Sequence, residues 1–251
     1  VAMAANVGSV ATITGNPQNM MIGIFSGIPY RQFAAALAPV GAAGLVATFA
    51  TIAVLYRREF RHSEPVVLEP RRVRVNRVLM AKALAASFLM LVFFFAGWPI
   101  AKVAIVAGAL LLITRRVKPE KIYHEIDFSL LVLFTGLFIV IAGIEKTPLP
   151  SHALDFVSVY GLDRPSVLSA VAAVLSNLAS NVPAVLLFKP IVPHLAHPDR
   201  AWLILAMAST LAGNLTVLGS VANIIVIQKS RRHVHISFWE YFRAGLPLTV
   251  V

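Results

Sequence analysis

The sequence predicts an all-α polytopic membrane fold with broken transmembrane helices, and three observations carry that prediction. Of 251 residues, 58% are hydrophobic and only 13% charged, with a mean hydropathy of +0.80. A soluble domain carries roughly 25% charged residues. Four apolar runs are long enough to cross a bilayer, and three further apolar stretches are interrupted by glycine, proline, asparagine and serine.

The first interrupted stretch is Val7–Ile24. Glycine lets a helix stop, asparagine caps the next one and proline suits its first position, so Gly15-Asn16-Pro17 predicts a helix that breaks and restarts. Leu37–Tyr56 follows as an uninterrupted span. The next segment holds Arg57, Arg58, Arg61, Arg71, Arg72, Arg74 and Arg77 and reads as a basic cytoplasmic linker over 57–78. Leu79–Ala96 and Pro99–Thr114 are two spans joined by the Gly97-Trp98-Pro99 turn, and Phe128–Ile144 is the fourth.

Ser166–Leu195 contains two Ser-Asn pairs, Ser176-Asn177 and Ser180-Asn181, followed by Pro183. That pattern predicts two half-helices meeting at a polar tip, a re-entrant hairpin. Ala201–Gln228 is broken at Gly219-Ser220, with Ser220 as the cap. Thr12, Gly15 and Asn19 recur at a constant offset as Thr216, Gly219 and Asn223. Four spans lie between the copies, so the two broken helices are expected to run in opposite directions as inverted repeats. The domain reading is therefore 1–56 as the end of a first repeat, 57–78 as linker and 79–251 as a second repeat. Both chain ends read as cut, which predicts an internal piece of a longer protein.

Charge and composition exclude several functions. The net charge is +11, but the basic residues sit in breaks between apolar runs and form no stripe with aromatics, which argues against nucleic acid. Lys and Arg in the breaks after Tyr56, before Phe128 (Arg115, Arg116, Lys118, Lys121) and after Gln228 (Lys229, Arg231, Arg232) place those breaks in the cytoplasm of a cell-membrane protein. There is no cysteine, hence no thiol chemistry. Asp127, Glu145, Asp155 and Asp163 lie at span ends or in loops and none is mid-span. His194, His197 and Asp199, like His233 and His235, match metal spacings only loosely. No catalytic motif and no cofactor are expected. Exposed carbonyls with Ser, Thr and Asn oxygens suit a hard cation such as sodium, and half-helix N-termini suit an anion.

At these residues the chain resembles a known family. Ala5–Asn19, Ser180–Ala184 and Gly213–Asn223, with the closing Phe238–Pro247, are similar to the ion transporter superfamily. That group holds arsenite permeases, sodium/proton antiporters, citrate and dicarboxylate symporters and the melanosomal P protein. The resemblance implies two inverted repeats, each with a re-entrant hairpin and a broken helix. It implies that Ser180 and Asn181 form a hairpin tip, that Thr216, Gly219 and Asn223 line the second broken helix, and that Thr12, Gly15, Asn16 and Asn19 line the first. Sodium would sit at Ser180, Asn181, Thr216 and Asn223. The first hairpin of that pattern should precede Val1. The function implied is secondary transport of a small inorganic or carboxylate anion, driven by a sodium or proton gradient. A sodium/proton antiporter and a passive channel are the alternatives. The expected partners are the anion, membrane lipid and a second copy of the chain in a homodimer.

Overall fold

A computed structural model describes residues 1–58, 76–113, 123, 126, 128–147, 161–231, 234 and 236–250. Among these the fold is all-α. The helices are α1 (Ala2–Ser9), α2 (Pro17–Ser26), α3 (Tyr30–Leu55), α4 (Arg77–Phe95), α5 (Ile100–Ile113), α6 (Phe128–Glu145), α7 (Pro165–Ala179), α8 (Asn181–Phe188), α9 (Pro198–Ala212), α10 (Val221–Ser230) and α11 (Phe238–Val250). The linker between Arg58 and Asn76, the basic break before Phe128, Asp155, and Arg232, His233 and His235 lie outside the described residues.

The burial pattern is inverted relative to a soluble protein. Phe49, Val132 and Ile105 are 73%, 72% and 71% exposed, whereas Asn19, Asn223 and Thr210 are fully buried. Long apolar side chains that face outward need hydrocarbon around them, and helices satisfy their own backbone there. α3, with 26 residues, and α4, with 19, are long and apolar enough to cross a bilayer. α6 has 18 residues and rises about 27 Å. Within the run Pro99–Thr114 the described helix is α5, whose 14 residues rise about 21 Å. The first span starts earlier than its apolar run, because α3 extends back to Tyr30 through Arg31 and Gln32.

The helices form two compact units. One is built on α4 and α5, which pack as a hairpin. Its turn follows from Gly97, whose φ of 85° lets Trp98 N donate to Phe93 O (3.0 Å) and Gly97 N to Phe94 O (3.1 Å). This closes the last carbonyls of α4 as the glycine punctuation predicts. α4 opens on Asn76, whose side chain accepts from Leu79 N at 3.1 Å. Asn76 is thus a helix cap and not a plain linker residue.

The other unit holds α1, α2, most of α3 and α7–α11. α9 lies at its centre, touching α1, α2, α7, α8 and α11. Ala201, Ala206, Ala208, Ala212 and Ser209 are buried along it; such small side chains let membrane helices approach closely. Trp202 packs against Phe25 of α2, ring centroids 6.2 Å apart. A smaller core joins Ala2 and Met3 of α1, Ile227 of α10 and Tyr241, Ala244 and Leu248 of α11.

The basic breaks make a topological prediction. In the cysteine-free chain, Asn76→Cys should resist an impermeant maleimide in intact cells and Lys146→Cys should react. The reverse labelling pattern would overturn the assigned orientation.

Candidate functional site

The three predicted breaks all occur, in one unit. In the first, α1 ends at Ser9, a 3-10 turn runs Ile13–Gly15, and α2 restarts at Pro17. Asn16 caps α2, accepting from Asn19 N at 2.8 Å. In the second, α9 ends at Ala212, a 3-10 turn runs Val217–Gly219, and α10 restarts with Ser220 as its cap, accepting from Ala222 N at 3.2 Å. Thr12 and Thr216 occupy the same place, each the residue before its 3-10 turn.

The equivalence continues at the level of single bonds. Asn19 Nδ2 donates to Ser9 O (3.1 Å) and Thr12 O (3.0 Å). Asn223 Nδ2 donates to Gly213 O (2.7 Å) and Thr216 O (3.1 Å). Each asparagine therefore ties together carbonyls on the two sides of the unwound stretch in its own break, which is what an unwound membrane helix requires. Gly15 and Gly219 lie against the matching carbonyls. A Cβ on Gly15 would come within 2.0 Å of Ser9 O, and one on Gly219 within 2.9 Å of Gly213 O.

The third break is a single residue. Ser180 joins α7 to α8 with φ 74° and ψ 158°, a region that is essentially glycine-only and costs about 1–3 kcal/mol for other residues. Ser180 places no side-chain cap on α8. Of the half-helices that restart at the three breaks, α8 alone lacks one. Ser180→Gly is expected to melt about 1–3 kcal/mol more stable than Ser180→Ala, read by thermal unfolding of the purified proteins. Equal melting of the two would show that the tip is unstrained.

Asn181 connects the breaks. Its amide is assigned by its surroundings, with the nitrogen toward Gly219 O (3.0 Å), Ser209 O (3.1 Å) and Ser176 Oγ and the oxygen accepting from Gln18 Nε2 at 3.0 Å. The opposite amide orientation would set the oxygen against two carbonyls. Asn177 accepts from Thr216 Oγ1 at 3.5 Å and donates to Ala212 O at 3.0 Å. Residues of α2, α7, α8, α9 and the second break thus meet in one buried polar cluster. Four of its residues stand outside the pattern that predicted the breaks: Asn6, Gln18, Thr210 and Asn214. The offset that pairs Asn19 with Asn223 also pairs Asn6 with Thr210, a signal that points to two of them.

Not every polar atom is satisfied. Asn19 Oδ1 and Asn214 Nδ2 are buried without a partner among the described residues. The oxygens named for sodium are mostly engaged: Asn181 by Gln18, Asn223 by Asn6 Nδ2 at 3.4 Å, and Thr216 in its bond to Asn177. Among the described residues no group of three or more His, Asp or Glu side chains is placed to hold a metal ion.

Comparison with known proteins decides the family, since the family profile described as "Citrate transporter" matches residues 1–212. The chain belongs to the citrate transporter family. That family, like the named relatives, is one of transporters and not of enzymes. It is 29% identical over 324 residues to the silicon efflux transporter LSI3 of Oryza sativa subsp. japonica, covering 100% of this chain and 67% of that protein. It is 33% identical over 176 residues to the putative transporter arsB of Dictyostelium discoideum, covering 65% of this chain and 30% of the relative. A 46 kDa membrane protein of Mycobacterium leprae is 26% identical, covering 99% of this chain and 63% of the relative. The citrate transporter chain thus spans between 30% and 67% of the length of these relatives.

Proposed function

We propose that this transporter moves a small inorganic or carboxylate anion by secondary active transport, driven by a sodium or proton gradient across the cell membrane. The observation that carries the reading is the pair of unsatisfied amides in one buried cluster: an acceptor, Asn19 Oδ1, and a donor, Asn214 Nδ2. A buried polar atom left unpaired costs about 1–3 kcal/mol, so each is expected to meet a ligand or a water during transport. An amide oxygen suits a hard cation, and an amide N–H suits an anion. The uncapped start of α8, with its strained Ser180, adds further donors beside Asn181.

The neutrality of the site bears on the coupling ion. Among the described residues the cluster contains only amides, hydroxyls and backbone groups, with no carboxylate to carry a proton. That favours sodium over a proton carried by this part of the protein. The rice relative, a silicon efflux transporter, is consistent with a small inorganic substrate. Inverted repeats, a re-entrant α7–α8 hairpin and a homodimer belong to the same proposal.

The test is uptake into proteoliposomes by the full-length protein, with silicate, arsenite, phosphate and citrate as substrates, under separate sodium and proton gradients. Accumulation above equilibrium under one gradient supports the reading. Equilibration unaffected by either gradient would make the protein a channel.

A further inference from the structure

The two broken helices cap one another. Ser220, the cap of α10, donates its hydroxyl to Asn6 Oδ1 at 2.8 Å, and Asn6 belongs to α1, the first half of the other break. Asn16, the cap of α2, donates Nδ2 to Thr210 Oγ1 at 3.2 Å, and Thr210 belongs to α9, the first half of the second break. Asn16 and Ser220 stand at the same offset as Asn6 and Thr210. The arrangement is therefore reciprocal: each break's cap is aimed by a buried side chain from its counterpart.

We propose that Asn6 and Thr210 are positioning residues which couple the two breaks, so that a ligand event at either one changes the cap of the other. The physical reason lies in how few orientations a cap tolerates. Ser220 Oγ must accept from Ala222 N while its proton points elsewhere, and Asn6 Oδ1 fixes where. Asn16 Oδ1 must accept from Asn19 N, and Thr210 Oγ1 helps to hold the amide in that sense through Nδ2. Asn6 is held in turn by Asn214 Oδ1 at 3.3 Å and Asn223 Oδ1 at 3.4 Å, so its position reports on the second break as a whole. Coupling of this kind is symmetric by thermodynamic necessity: whatever the first break does to the second, the second returns.

This goes beyond the ion-site reading and does not depend on it, because its test needs no substrate. Amide hydrogen exchange is measured by mass spectrometry on the purified full-length protein. Asn6→Ala is expected to speed exchange at Ala222 and Asn223 about fivefold, the factor that loss of one hydrogen bond of ordinary net strength allows. Ser220→Ala should do the same, and the double variant should add nothing. From the other side, Thr210→Val should speed exchange at Asn19, and Thr210→Ser, which keeps the hydroxyl, should restore it. The Thr210 arm carries the test if Asn6→Ala does not fold. Acceleration confined to the substituted helix, acceleration spread evenly over the protein, or additive effects in the double variant would each overturn the proposal.

Discussion

Asn181→Ala and Asn223→Ala, made in the full-length transporter, should reach the membrane and lose most transport. Insertion is governed by the apolar runs, which neither substitution touches. The site responds differently. Removing the Asn181 side chain takes away the group that meets Gly219 O, Ser209 O and Gln18 together, so three elements lose their common partner. Removing the Asn223 amide frees Gly213 O and leaves Thr216 O to its bond from Gly219 N, so the carbonyls at the second break lose their common tie. Loss of a single side-chain bond between membrane helices costs about 0.6–2 kcal/mol, which leaves the fold standing. A transport step that needs several of these groups aligned loses about tenfold for each 1.4 kcal/mol withdrawn from the bound state. The half-saturating cation concentration of any residual activity should rise. Asn76→Ala serves as the control: it removes the α4 cap, costs about 1 kcal/mol and should transport normally. Wild-type rates with unchanged cation dependence in both site variants would assign these amides to packing alone.

The breaks were legible because their chemistry is local. Gly15-Asn16-Pro17 and Gly219-Ser220 contain the stop, the cap and, in the first, the proline that a restarted helix uses, and both restart within a residue of the expected place. The tip at Ser180 was legible for the same reason, although its strained backbone was not, since serine carries no signature of a positive φ. Asn6, Gln18 and Thr210 were different. Each sits within a helix, and a polar residue in a membrane helix is most often interhelical glue. Their roles depend on partners about 200 positions away, as in Ser220 to Asn6 and Gln18 to Thr210, and no local pattern encodes a partner at that distance.

The neutral cluster also explains why the site looked poor in chemistry when judged by titratable groups. Burying a carboxylate in a bilayer is costly and marks proton pathways. Amides and hydroxyls can be buried at far lower cost if every donor and acceptor is matched. Here nearly all are matched, through bonds that cross between the breaks, and the two that are not, Asn19 Oδ1 and Asn214 Nδ2, stand out against that background.

Gly15→Ala should be among the most damaging single-methyl changes in the chain, and Gly8→Ala, two turns earlier, should be harmless. The Cβ added at Gly15 would lie 2.0 Å from Ser9 O, 2.8 Å from Ser9 C and 2.9 Å from Ser9 Cα, whereas one added at Gly8 meets nothing within 4 Å. The obstacle at Gly15 is backbone and cannot rotate aside. It is also the backbone on which the first break closes: Ser9 O accepts from Asn19 Nδ2, and Ser9 Oγ accepts from Asn16 Nδ2 at 2.9 Å. Relieving the contact means moving α1 away from the turn and breaking both bonds. Overpacking alone costs about 1–3 kcal/mol, occasionally more, and the two lost bonds bring the expected destabilisation to roughly 3 kcal/mol or above. Gly219→Ala should fall in between. Its nearest contacts are Gly213 O at 2.9 Å and the Asn177 side chain at 3.1 Å, and the latter can turn away. Gly8→Ala lies inside a helix and should stabilise by about 0.5–1 kcal/mol. The measurement is thermal unfolding of the three purified variants in one detergent, and Gly15→Ala should melt at the lowest temperature, Gly219→Ala next and Gly8→Ala at the highest. If Gly15→Ala melted with Gly8→Ala, the close approach of Gly15 to Ser9 would not exist in the folded protein, and the first break would need a different geometry.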